Sequence, residues 1–168
     1  MIPIIIIVIS LLFDGLLTNY LPYLVNDLSY FTPLFTVVSI FIIYPFYRKN
    51  NKKYFITIFL LGFIYDLFYT NLLFYNAVIF LIIGIISRFI NKNFETSFLK
   101  LIIYTVIIVV LYESISAGIL FVFNIVPISF DKLFYKISHS LLLNIIYMET
   151  IYIVIKIIPK KYKEISIN

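Results

Sequence analysis

The stretch Gly62 to Ser87, GFIYDLFYTNLLFYNAVIFLIIGIIS, contains one acid and one run-breaking Thr-Asn pair in 26 residues. Its apolar content is too long and too continuous for a strand, and it lacks the alternation that a barrel strand needs. Read as helix, it is the end of one apolar span and most of the next. Thr70-Asn71 is a connection so short that the two helices must lie antiparallel. Working outward, apolar runs of roughly 17 to 25 residues recur through the chain. At 1.5 Å per residue each covers a hydrocarbon layer of about 30 Å. Six are expected, over about Ile2 to Leu21, Phe31 to Tyr47, Tyr54 to Tyr69, Leu72 to Ile90, Phe98 to Phe123 and Leu133 to Ile158. Pro22, Pro127 and Pro159 close the first, fifth and sixth. Pro33 suits a first helical turn, and Pro45 bends or ends the second helix.

Composition agrees. Of 168 residues, 63% are apolar and 12% charged, and the mean hydropathy is +1.09, whereas a soluble domain is about half apolar and a quarter charged. A soluble fold is excluded. The expectation is an all-α, polytopic integral membrane protein of six transmembrane helices forming a single domain over residues 1–168. Met1 to Leu17 lacks a basic leading region and a small-residue cleavage site and contains Asp14, so it reads as an uncleaved first span. The 20% of aromatic residues read as lipid-facing bulk and interface anchors.

Charge sets the expected orientation. Arg48, Lys49, Lys52, Lys53, Arg88, Lys92, Lys100, Lys156, Lys160, Lys161 and Lys163 fall on one side of a six-span chain. Only Lys132 and Lys136 fall on the other, which makes eleven against two of the 13 basic residues. The positive-inside rule then puts both termini in the cytoplasm. The net +5 is thus loop charge flanking spans, and no nucleic-acid partner is expected.

Four of the eight acids, Asp14, Asp66, Glu113 and Glu149, fall within spans, and no Lys or Arg is expected well inside one. A carboxylate at mid-helix costs about 2.5–3.5 kcal/mol on the insertion scale, so each should face protein or water. By helical rise, Asp14 and Asp66 lie about 18 Å from the cytoplasmic end, Glu113 about 22 Å and Glu149 about 14 Å. Ser10, Asp14 and Thr18 repeat every four residues, as do Gly62, Asp66 and Thr70. Glu113 with Ser116 and Ala117, and Glu149 with Tyr152 near Asn144 and Ser140, form further polar patches. Small residues let helices approach, and buried polar groups bond across the contact. Three roles stay open for the acids: packing within the chain, contact with a partner's transmembrane helix, or a ligand or proton site. Zero Cys and the single His139 leave almost no metal ligands. His139 reads as an interfacial hydrogen-bonding residue, and no nucleophile, metal or phosphate-loop motif is present. No catalysis, metal or cofactor is therefore expected.

The Gly62, Asp66, Thr70 pattern and the hairpin after it resemble the MreD family, the polytopic rod-shape-determining membrane proteins of bacteria. Asp14 near the outer end of the first span, Glu113 on the fifth and LLLNII from Leu141 on the last agree with it, as do length and layout. The departures are the absence of Trp and the scarcity of Ala and Gly. The resemblance implies a non-catalytic component of the cell-elongation complex in the bacterial cytoplasmic membrane, supporting peptidoglycan synthesis. Its implied partners are MreC and, alongside, MreB, RodA and a class B penicillin-binding protein. Asp14, Gly62, Asp66, Thr70, Glu113 and Glu149 are the expected partner-contact or intramembrane polar residues. The family is also similar in helical layout to the S components of energy-coupling-factor vitamin transporters, which makes such a substrate-binding protein the rival reading. Against it, the first helix, IPIIIIVISLL, carries none of the alanines through which those proteins typically meet their coupling subunit.

Overall fold

The thirteen residues Phe35 to Tyr47 rise only about 20 Å at about 1.5 Å each, short of a 30 Å layer without the residues that precede them. In the computed structural model, which describes residues 2–20, 32–70, 72–91, 98–124 and 129–157, this short apolar segment is the axis around which the other helices stand. We label the helices α1 (Ile2–Tyr20), α2 (Phe35–Ile43, continuing as a 3₁₀ turn over Tyr44–Tyr47), α3 (Asn51–Tyr69), α4 (Tyr75–Asn91), α5 (Phe98–Val122) and α6 (Phe130–Ile157). Among the described residues there are six helices and no strand.

All nine residues of α2 are buried, because α1, α4, α5 and α6 all touch it. Val37, Val38, Ile40 and Ile43 have no exposure and meet a core that includes Ile58, Phe80, Ile83, Ile108 and Val109. A helix apolar all round belongs inside a protein. The surrounding helices turn other apolar side chains outward, such as Leu12 (54% exposed), Leu60 (52%) and Ile103 (56%). Such a surface suits lipid rather than water. Among the described residues, stretches within α1, α5 and α6 (Ile2–Asn19, Leu99–Val122 and Phe130–Ile157) are the three long and apolar enough to cross a membrane; α2 with its 3₁₀ turn, and α4, are shorter apolar helices.

The expected boundaries shift in explicable ways. Helix α2 begins at Phe35 rather than Phe31, with Thr32 to Leu34 non-helical, so Pro33 precedes the helix instead of opening it. The α-helix ends at Ile43 and Pro45 sits in the 3₁₀ turn, because proline has no amide hydrogen for the carbonyl four residues back. Helix α3 starts early, at Asn51, since the Asn50 side chain accepts from the Lys53 amide at 3.0 Å and caps it. Helix α4 waits until Tyr75, after Phe74 takes a left-handed turn (φ 65°). Leu21, Pro22, Phe31, Pro127, Ile158 and Pro159 lie outside the described residues.

The end of the bundle holding the 3₁₀ turn is fixed by aromatics. The fully buried Tyr54 donates to the Ile40 carbonyl at 3.0 Å and meets Tyr44 edge-on at 5.1 Å. Arg48 donates to the carbonyl of Asn91, the last residue of α4, at 3.0 Å. That satisfies a terminal acceptor with a cation, as the helix dipole favours.

Candidate functional site: intramembrane acids as helix caps

The first turn of a helix has amides without intrahelical acceptors, and in hydrocarbon each unsatisfied one costs several kcal/mol. Helix α2 begins in the interior of the bundle, so its amides need acceptors from protein. Asp14, on α1 and 2% exposed, supplies two: its Oδ1 accepts from Phe35 N and its Oδ2 from Thr36 N, both at 2.9 Å. The preceding amide, Leu34 N, goes to Oδ1 of the buried Asn144 on α6 at 2.9 Å. Asn144 Nδ2 in turn donates to Thr32 O at 3.0 Å and Ser140 O at 2.7 Å. Three successive amides are thus taken by side chains of two other helices, and the carboxylate stands where a helix N-terminus favours negative charge. Alongside, Ser10 meets the Tyr147 hydroxyl at 2.5 Å, and Tyr147 stacks on Phe35 at 4.2 Å.

Asp66 on α3 repeats the arrangement for α4. Fully buried, it accepts from Asn76 N at 2.9 Å and 3.0 Å on its two oxygens, and from Ala77 N at 3.2 Å on Oδ2. Its Oδ1 also accepts from Asn76 Nδ2 at 2.8 Å and from the Thr70 hydroxyl at 2.9 Å. Tyr112 on α5 completes the chain by donating to Asn76 Oδ1 at 2.9 Å. Gly62, one turn before Asp66, makes the approach feasible: a Cβ there would lie 2.5 Å from Ala77 Cα and 2.8 Å from Ala77 N. The Gly-x-x-x-Asp-x-x-x-Thr spacing therefore has a local reason. Glycine admits the next helix, Asp caps it, and Thr holds the carboxylate.

Glu113 is the third buried acid, 1% exposed. Its Oε2 pairs with Lys136 Nζ at 2.8 Å, while Oε1 has no hydrogen-bond partner among the described residues. Lys136 stands near the start of α6, with its side chain 43% exposed. It is the seventh residue of α6, and its long aliphatic stem lets the ammonium reach the acid. Near Glu113, Tyr75 of α4 donates to the Ser116 carbonyl at 3.1 Å and meets the Ser116 hydroxyl. Glu149 differs from the other three: it is partly exposed and has no hydrogen bond or ion pair with a described residue. His139 stacks on Tyr135 at 3.9 Å with Nδ1 2.9 Å from the Tyr135 carbonyl. Among the described residues no three His, Asp or Glu side chains come together to hold a metal ion.

Asp14, Asp66 and Glu113 are thus apportioned to separate neighbours rather than drawn to one point. Sequence reasoning missed Asn76, Tyr112 and Lys136. It also missed that Asp14-x-x-x-Thr18-Asn19 and Asp66-x-x-x-Thr70-Asn71 are the same string, each acid capping the next described helix. That repetition was a legible signal.

Set beside known proteins, the chain matches the family model of the rod shape-determining protein MreD over residues 1–161. No curated protein and no solved structure matches it. A match over nearly the whole of the 168 residues, on a bundle of apolar helices, settles the assignment: the chain belongs to the MreD family of shape-determining membrane proteins.

Proposed function

We propose that this protein is a non-catalytic scaffold of the cell-elongation complex, lying in the bacterial cytoplasmic membrane with both termini inside. It binds MreC through helix packing, and it supports peptidoglycan synthesis alongside MreB, RodA and a class B penicillin-binding protein. The observation that supports this best is the use made of Asp14 and Asp66, whose carboxylates are each occupied by two backbone amides of another helix. Groups so occupied fix helix positions and hand the partner a rigid outer surface. Gly62, Thr70 and the Glu113–Lys136 pair act with them as positioning residues, and the eleven-to-two distribution of cations supports the orientation.

Co-purification tests the reading. Detergent-solubilised protein should recover MreC, and Asp66→Leu should cost cells their rod shape. Failure to recover MreC together with normal shape in Asp66→Leu cells contradicts it, and tight vitamin binding by calorimetry would instead favour a transporter S component.

A further inference from the structure

Helix α6 buries one face and shows another. Ser140, Asn144, Tyr147, Met148 and Ile151 are buried, and Glu149 stands nine residues from Ser140, which at 3.6 residues per turn is about two and a half turns. It therefore lies on the side of α6 opposite Ser140, and it is partly exposed. On the same outward stripe lie Leu142 (60% exposed), Ile146 (54%) and Ile153 (55%), with His139 before them and the exposed Lys156 after them. Positions 139, 142, 146, 149, 153 and 156 alternate steps of three and four, the spacing of a helix–helix seam. Glu149 has no partner among the described residues, and a carboxyl left facing acyl chains at bilayer depth is costly.

We infer that this stripe of α6 is the docking face for a transmembrane helix of a different protein, one carrying a basic or donor side chain opposite Glu149 and an acidic or acceptor side chain about 10 Å further along, opposite Lys156. A second copy of this chain fits poorly. Two copies inserted the same way round would set Glu149 against Glu149 and Lys156 against Lys156, and like charges disfavour the pairing. The inference deepens the scaffold reading and rests on it for the identity of the partner, but the recognition chemistry is tested without that identity.

The chain has no cysteine, so Leu99→Cys gives a single labelling position at the start of α5. Full-length protein labelled there is placed in liposomes with a designed Leu/Ala transmembrane helix carrying one central Lys, or with the same helix carrying Leu, and association is read by energy transfer. The Lys helix should bind roughly tenfold more tightly than the Leu helix, and Glu149→Leu should abolish that preference. Glu149→Gln should weaken it, and Glu149→Asp should retain it, so a folding defect in one variant does not decide the outcome. Equal binding of the two helices, or a preference that survives Glu149→Leu, overturns the inference, as does efficient cross-linking of Ile146→Cys to a second copy of the chain. In a parallel arm with co-expressed MreC, Glu149→Lys should lower recovery roughly tenfold. Undiminished recovery removes this face while leaving the scaffold reading intact. No recovery by the unaltered protein removes the MreC contact of the scaffold reading, and the Lys-helix comparison still decides the face.

Discussion

Gly62 stands so close to Ala77 that a Cβ on residue 62 would lie 2.5 Å from the Ala77 Cα, inside any tolerable contact. The atoms in the way are backbone of the first turn of α4, so relief requires α3 and α4 to part and Asp66 to lose its reach to the amides of Asn76 and Ala77. Gly62→Ala should therefore destabilise the fold by about 1–3 kcal/mol, the range for overpacking. Gly118→Ala, with nothing within 4 Å of the new Cβ, should be neutral or slightly stabilising, since alanine is the better helix former. Circular dichroism melting of the two variants in detergent, against the parent, makes the comparison.

Removing the cap of α2 should be costly in a graded way. Asp14→Leu leaves the amides of Phe35 and Thr36 buried without acceptors, at about 1–3 kcal/mol for each group. Asp14→Asn retains one acceptor oxygen and should cost clearly less. Melting midpoints in the order parent, Asn, Leu are the expected result.

The Glu113–Lys136 pair bridges α5 and α6, with the acid buried and the lysine side chain 43% exposed. Glu113→Gln and Lys136→Gln should each destabilise, and the double variant should fall short of the sum by about 0.5–3 kcal/mol, as for residues in direct contact. The lysine variant should lose more than a surface pair would, because it strands a buried carboxylate. A double-mutant cycle on melting data measures the coupling.

Tyr112→Phe removes only the hydroxyl that donates to Asn76 Oδ1. The loss should be about 1 kcal/mol, and smaller than that of Asp66→Leu, which strands the amides of Asn76 and Ala77. Equal losses would contradict the cap role given to Asp66.

The sequence makes the apolar helices legible because their length and continuity leave no other fold, and the acids stand out against them. The buried state of Asp14, Asp66 and Glu113 follows from the same cost argument. Three things were not legible, each for a physical reason. The enclosure of α2 depends on four other helices surrounding it, and hydropathy cannot tell an axial half-helix from a lipid-facing span. Lys136 reads as a charge at the outer end of the sixth span until its ammonium is seen to pair with Glu113 on α5, since spacing along one helix does not give its distance from another. The acceptor role of the aspartates depends on which backbone amides lack intrahelical partners, and that is settled by where helices start, the least certain feature of a sequence reading. Gly62 and Thr70, by contrast, were singled out from spacing alone, and the structure supplies their contacts.

Asp14 and Asp66 hold the starts of α2 and α4 from neighbouring helices. Hydrogen exchange of the full-length protein in lipid nanodiscs, read by mass spectrometry over peptides covering Leu34–Ile43 and Tyr75–Ile83, tests this most directly. Asp14→Leu should speed exchange in the first peptide and spare the second, and Asp66→Leu should do the reverse. Unchanged protection of both peptides in both variants would mean that the two aspartates do not hold these helix starts.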